Sequence, residues 1–283
     1  MIEEILIFGL VQGSLLALLA LGFSLVYGVG GILNLAHGAF FLMTAYIMYW
    51  TIPFFGLGIA AIISLVAIAG IGAVAYLGLI EPLRETPIGV VLVTFALAFF
   101  FEQFVKFFGD PRTHYIAPFI RGSIQILGVN LQIQLVLLII GSLALVTIVT
   151  VFINKSTIGK SIRAVSQDYE AAQLMGINTN MILMLSVMLS ALLVGFAAVL
   201  YAPGNFIAPR IGWGILISAF AVTIFGGMGS IPGSIVGAYI MGYATTFTDY
   251  FISPAFSELI PIVVILVMLL VRPQGLLGKE ELH

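Results

Sequence analysis

The chain has 283 residues, of which 61% are hydrophobic and only 8% charged, and its mean hydropathy is +1.22. Such a composition cannot clothe a soluble globule in polar surface, so the sequence predicts a polytopic membrane protein. Ten basic against twelve acidic residues leave no basic footprint for nucleic acid, and the lack of cysteine excludes disulfides and cysteine-based metal or redox chemistry.

A run of about 20 apolar residues crosses a bilayer core of about 30 Å as a helix. Such runs, or near matches to them, lie at 5–27, 32–50, 57–80, 88–108, 131–153 and 181–201. The opening MIEEILIF carries two Glu where a cleaved secretory signal would carry Lys or Arg, so the first run is read as a retained span. A last apolar stretch, 211–271, is interrupted by the glycine-rich 226–233 and again near Ser253-Pro254, which leaves room for two spans or three shorter ones. The expected fold is all-α: a polytopic transmembrane helical bundle of eight or nine membrane segments, some discontinuous, in a single transmembrane domain over residues 1–283.

Loop charges give an orientation. Arg84, Lys155, Lys160, Arg163, Arg272 and Lys279 fall on one side, and Lys106, Arg112, Arg121 and Arg210 on the other. The first group is predicted to be cytoplasmic by the positive-inside rule. Nine segments then put the N-terminus outside and the C-terminus inside, with 109–130 as the largest external loop.

Polar side chains inside apolar spans are expensive unless paired or facing a cavity, which makes them candidates for a substrate path. Asn34 and His37 stand three apart at the start of the second run and so share a helix face. They either line a route or cap a helix and hold it to its neighbour, and Gln12 and Ser14 in the first run face the same choice. Glu102 and Lys106 read as a local ion pair near the outer boundary. In the glycine-rich break, Gly226, Gly227 and Gly229 allow close backbone approach, while Ser230 and Pro232 can start a new helix inside or near the membrane. No carboxylate pair, His cluster or Ser/His/Asp set appears, so neither catalysis nor a metal or other cofactor is expected.

The one sizeable stretch that reads as soluble is 154–180, NKSTIGKSIRAVSQDYEAAQLMGINTN. Its start imitates the phosphate-binding loop G-x-x-x-x-G-K-[ST] but lacks the first Gly and follows a span rather than a strand, so nucleotide binding is not expected there. A short helix is predicted over 166–176, with Ser166 as N-cap, Asp168 and Glu170 in the first turn, and Gly176 as a left-handed stop. At about nine residues it cannot hold its shape alone in water and needs a scaffold or a partner.

Four blocks in order, 9–40 (GLVQGSLLALLALGFSLVYGVGGILNLAHGAF), 159–178 (GKSIRAVSQDYEAAQLMGIN), 225–239 (FGGMGSIPGSIVGAY) and 271–278 (VRPQGLLG), resemble the permease subunits of branched-chain amino-acid ABC importers, specifically the shorter H-type partner of the pair. The resemblance covers nearly the whole chain. It implies a second permease, two cytosolic ATPase subunits and an external substrate-binding protein, in the cytoplasmic (inner) membrane of a prokaryote. It also implies that 154–180 is a cytoplasmic coupling loop, with Gly159, Arg163, Ala164, Asp168, Glu170, Ala171, Ala172 and Gly176 at the ATPase contact. Related permeases for urea or short amides are the nearest alternative. A secondary transporter is disfavoured by the scarcity of buried carboxylates, and a passive channel would need no coupling helix.

Overall fold

The computed structural model describes residues 1–109 and 111–278; Asp110 and Lys279, used above for the outer loop and for orientation, lie outside them. The chain folds into α1 (Ile2–Gly30), α2 (His37–Ala75), α3 (Pro87–Gly109), α4 (Ile133–Lys155), α5 (Thr157–Gln167), α6 (Tyr169–Leu174), α7 (Thr179–Tyr201), α8 (Ile211–Gly226), α9 (Ile231–Phe251), α10 (Pro254–Ser257) and α11 (Ile260–Val271). Four short strands join them at one end. β1 (His114–Tyr115) pairs antiparallel with β4 (Phe206–Ile207), and β2 (Ser123–Ile126) forms a hairpin with β3 (Val129–Gln132). The outer loop therefore carries local β-structure that the sequence reading did not foresee, although the domain remains a transmembrane helical bundle.

Among the described residues six helices are long and apolar enough to span a membrane, or seven if the bent pair α8–α9 counts as one span. One of the six, running with its continuation over 47 residues, would be about 70 Å long if straight, more than twice a bilayer core. It folds back at Gly56, whose φ of 73° and ψ of 167° are not helical, three residues after Pro53. Thr44 and Ile68 lie equally far on either side of Gly56, and a Cβ built on Gly195 of α7 would sit 3.4 Å from Thr44 and 2.9 Å from Ile68. The two limbs of α2 are thus antiparallel neighbours, matching the separate runs 32–50 and 57–80. Counting the limbs singly raises seven to eight, and giving α8 and α9 a pass each raises it to nine.

Contacts at the helix ends make these passes alternate. Tyr243 of α9 donates its hydroxyl to the Leu6 carbonyl, placing the start of α1 beside the end of α9. At the opposite end Gly28 of α1 touches Gly229 in the α8–α9 break, Gly30 approaches Leu183 near the start of α7, and Arg84 bonds Asn180. The end bearing Arg84, Lys155, Arg163 and Arg272 is therefore opposite the end bearing the strands and Arg121, the division that the loop charges predicted.

Within the bundle α1 and α7 are central, with 72% and 67% of their apolar windows buried, whereas α11 and α4 have 17% and 22%. Apolar burial gives helices in lipid little reason to associate, so close packing has to do the work. Glycines permit it: a Cβ on Gly242 of α9 would fall on the backbone of Gly13 in α1, and one on Gly38 would fall on the Gly212 carbonyl. Gly242→Val is expected to cost about 2 kcal/mol, the scale of overpacking a tight contact, and to lower the thermal unfolding midpoint in detergent. Gly58→Ala, where a Cβ meets nothing within 4 Å, should leave that midpoint unchanged. Orientation is checked with single cysteines in this cysteine-free chain. Arg121→Cys should react with an impermeant maleimide on intact cells, and Arg84→Cys only after the membrane is permeabilised.

Candidate functional site

Two regions gather the sequence-predicted residues. The first is the break between α1 and α2. Gly31, in the left-handed conformation at φ 62°, ends α1, and residues 32–36 return non-helically toward the middle of the bundle. The second membrane helix thus begins at His37, not at residue 32 as the hydropathy run suggested. The reason is local: the Asn34 side-chain oxygen accepts from the Ala36 amide at 3.0 Å, holding a turn, and the Leu35 amide donates to Thr94 Oγ1 of α3 at 3.1 Å.

His37 is 1% exposed and sits between three helices. Its Nε2 lies 2.9 Å from the Leu19 carbonyl of α1, and its Nδ1 lies 3.4 Å from Ser190 Oγ of α7. A carbonyl only accepts, so Nε2 carries the proton, and in the neutral ring Nδ1 then accepts from Ser190. Phe23 packs edge-on against the imidazole at 5.3 Å. Both nitrogens are engaged by protein. Asn34 differs: it is 3% exposed, and its side-chain Nδ2 has no hydrogen-bond partner in the protein. A buried donor left so is costly and calls for an explanation.

The other nominated path residues are spread along the bundle. Ser14 is fully buried against the Tyr239 hydroxyl of α9 at 3.3 Å, and Gln12 is half-buried about three turns from the N-terminal end of α1. Gly226, Gly227, Gly229 and Ser230 form the α8–α9 break, where the chain bends by 118°. A Cβ on Gly226 would meet the Gly233 carbonyl, Gly227 and Gly229 have φ of 106° and 79°, and Ser230 caps α9 by accepting from the Gly233 amide at 3.2 Å. The C-terminal tail closes over this break. Leu276 and Leu277 donate their amides to the Phe225 and Gly226 carbonyls at 2.8 and 3.0 Å, pairing groups that the end of α8 would leave free. That accounts for the VRPQGLLG block, to which the sequence alone assigned no contact.

The second region is the segment between α4 and α7, which holds two helices rather than one. Ser156 caps α5 by accepting from the Gly159 amide at 2.9 Å, and Asp168 caps α6 by accepting from Ala171 at 2.9 Å. The expectation of Ser166 as N-cap is corrected: it lies inside α5 and its hydroxyl donates to the Arg163 carbonyl. Asp168, extended at φ −157° and ψ 109°, is where the helix actually restarts. Gly176 does stop the second helix with φ 83°, and Ile177 bonds back to the Ala172 carbonyl in the manner of a Schellman cap.

The segment's residues divide by direction. Gly159 is buried, and a Cβ there would meet the Phe152 and Ile153 carbonyls, so glycine is needed for the tight turn from α4. Arg163 folds back to donate to the Asn154 side chain at 3.1 Å and its carbonyl at 3.3 Å. Ala164 is half-buried and Ala172 buried, whereas Asp168, Glu170, Ala171 and Gly176 are exposed. The sequence reading missed Leu174 and Met175, which are 88% and 83% exposed at the tip. The available signal was two adjacent large apolar residues in the single polar stretch.

At the outer end, Glu102 of α3 bonds both Lys106 and the indole of Trp213 in α8, so the expected local pair is also a link between helices. Beside it a cavity of about 10 Å³, lined by Leu35, Ala39, Ala98 and Gly212 among others, has room for about one water. A larger cleft of about 350 Å³ opens on the outer surface between Tyr115, Arg121 and Gln132.

A profile of the family described as "Branched-chain amino acid transport system / permease component" matches residues 5–269. The high-affinity branched-chain amino acid transport system permease protein LivH of Salmonella typhimurium is 30% identical over 97% of this chain and 95% of its own. BraD of Pseudomonas aeruginosa, named for the same system, is 30% identical over 98% and 96%. A probable LivH of Methanocaldococcus jannaschii is 26% identical over 96% and 91%. Among solved structures, PsaBC from Streptococcus pneumoniae in complex with Fab superposes with a TM-score of 0.54 over 97% of both chains at 13% identity, a likeness of fold. With a matching profile over nearly all its length and a helical bundle to match, the chain belongs to the branched-chain amino acid transport system permease family and is a multi-pass permease component of the inner membrane.

Proposed function

We propose that this chain is one of two permeases in an ATP-driven importer that carries branched-chain amino acids into the cytoplasm. Its partners are a second permease, two cytosolic ATPase subunits that bind and hydrolyse the nucleotide, and an external binding protein that delivers the ligand. The carrying observation is the near full-length similarity to permeases named for these substrates.

Two features of the chain support the reading. The segment α5–α6 presents Leu174 and Met175 to water, an arrangement that pays off only when a partner covers them. Asn34 holds an unpaired amide donor in apolar surroundings, where the carboxylate of an amino acid can accept it while an aliphatic side chain meets the apolar walls. ATP drives the cycle through its different affinities for two states of the ATPase pair, and α5–α6 passes that preference to the bundle. Opening toward the binding protein and toward the cytoplasm then alternate.

Replacing the tip by Leu174→Asp and Met175→Asp should weaken ATPase binding about 30-fold or more, the scale of an interface hot spot, and abolish uptake. Normal co-purification of the ATPase with normal uptake would remove the coupling assignment. Asn34→Ala should depress transport while changing the detergent unfolding midpoint little, because the gain from deleting the unpaired donor is offset by the Ala36 amide left without its acceptor. His37→Ala should instead lower stability by about 2 kcal/mol, since it leaves Leu19 and Ser190 without their partner. Uptake assays and thermal scans on the two variants separate the roles.

A further inference from the structure

One polar cluster has no place in the function so far: Glu81, Arg84, Tyr169, Thr179 and Asn180. Arg84 Nη1 donates to Asn180 Oδ1 at 2.5 Å, and Asn180 Nδ2 donates to Glu81 Oε1 at 2.9 Å. Thr179 Oγ1 donates to the Tyr169 hydroxyl at 2.8 Å, and that hydroxyl reaches Asn180 Oδ1 at 3.5 Å. The Arg84 guanidinium also lies 4.8 Å over the Tyr169 ring. The cluster joins three elements that the chain connects only distantly: the loop between α2 and α3, the first residue of α6, and the first turn of α7.

The hydrogen bonds from Arg84 to Asn180 and from Asn180 to Glu81 lie at the protein surface, where such contacts and a half-exposed cation–π contact add little to fold stability. A chain under no other demand gains little from holding these side chains in one geometry. The backbone next to the cluster is also irregular. The second limb of α2, after Gly56, ends in a π-helical turn, Tyr76–Ile80, followed by a 3₁₀ turn, Glu81–Leu83, that delivers Glu81 and Arg84 to the cluster. Single π turns within helices commonly mark functional positions, because the extra residue leaves a backbone that can repack.

We propose that this cluster is a transmission clamp that fastens α6 to the α2–α3 hairpin, so that displacement of the coupling segment moves that hairpin as well as α4 and α7. The inference rests on the assignment of α5–α6 as the ATPase contact. Arg84 is a positioning residue, acting through Asn180 and Tyr169 and touching neither substrate nor nucleotide. Its flat guanidinium serves both partners at once, which a lysine ammonium cannot do in the same geometry. The turn Tyr76–Glu81 is the point at which the hairpin yields.

The test uses the complete importer in proteoliposomes, with binding protein and radiolabelled leucine, and reads leucine carried per ATP hydrolysed. Arg84→Ala should retain both ATPase subunits at normal yield and continue to hydrolyse ATP. Leucine carried per ATP should fall by at least about fivefold, the lower end of coupling effects between sites. Arg84→Lys should fall between the two. Tyr169→Phe, which keeps the ring and removes only the hydroxyl, should show a smaller loss in the same ratio and serves if Arg84→Ala yields no folded complex. A merely structural role would lower hydrolysis, transport and yield together and leave the ratio intact, and that outcome overturns the clamp. The Leu174→Asp, Met175→Asp variant run in parallel separates the two levels. If it keeps the ATPase and coupled transport, the coupling assignment falls and the clamp with it; if it loses the ATPase while Arg84→Ala keeps a normal ratio, only the clamp falls.

Discussion

A backbone amide or carbonyl released by a break in a helix finds no water inside a bilayer, and this governs where the chain can interrupt its helices. Two deep breaks each come with their repair. At 31–36 the Asn34 side chain closes a turn on Ala36, and Thr94 of α3 takes up the Leu35 amide. At the end of α8 the C-terminal tail supplies the amides of Leu276 and Leu277. Thr94 and the C-terminal tail come from far along the sequence, so each break ties distant parts of the chain together. The irregular backbone that a transporter requires thus doubles as tertiary structure.

Glycine extends the same logic to helix faces. Gly13 against Gly242, Gly28 against Gly229 and Gly38 against Gly212 bring α1, α2, α8 and α9 into backbone contact. At such separations dispersion and weak Cα–H contacts replace the hydrophobic drive that lipid denies. Because the contacts pair glycine with glycine, enlarging either partner opens the seam. The peripheral helices α3, α4 and α11 carry wide exposed apolar faces instead, as expected of surfaces turned to lipid or to a second subunit.

Much of this was legible in the sequence, because hydropathy runs report directly on lipid burial. The two limbs of α2 were separable from Pro53 and Gly56, and the interruption at 226–233 announced itself in Ser230, Pro232 and four glycines. What hydropathy cannot report is where polar backbone interrupts an apolar run. Ile32, Leu33 and Leu35 read as helix, yet they belong to the extended return because Asn34 and Thr94 offer a better set of hydrogen bonds. Capping failed for a related reason: Ser166 has the right chemistry, but Ser156 had already begun a helix upstream, and a cap is defined by the backbone conformation it occupies. The division of the segment 154–180 into inward residues such as Gly159 and Ala172 and outward ones such as Leu174 depended on contacts with neighbouring helices that no short window contains.

The position of α7 connects the two regions. Its first residues, Thr179 and Asn180, sit in the cluster with Tyr169 and Arg84, and its Ser190 meets His37 at the start of α2. Between them lie about 15 Å of unbroken helix, a separation over which a packed helix moves as a body rather than bending. His37 in turn stands three residues from Asn34. The start of α7 and the α1–α2 break are thus joined by one unbroken helix and one hydrogen-bonded imidazole. With one nitrogen on Leu19 and the other on Ser190, the imidazole leaves no buried polar atom of its own unpaired and pins α2 to both α1 and α7, while the turn at Asn34 is held separately by Ala36 and Thr94.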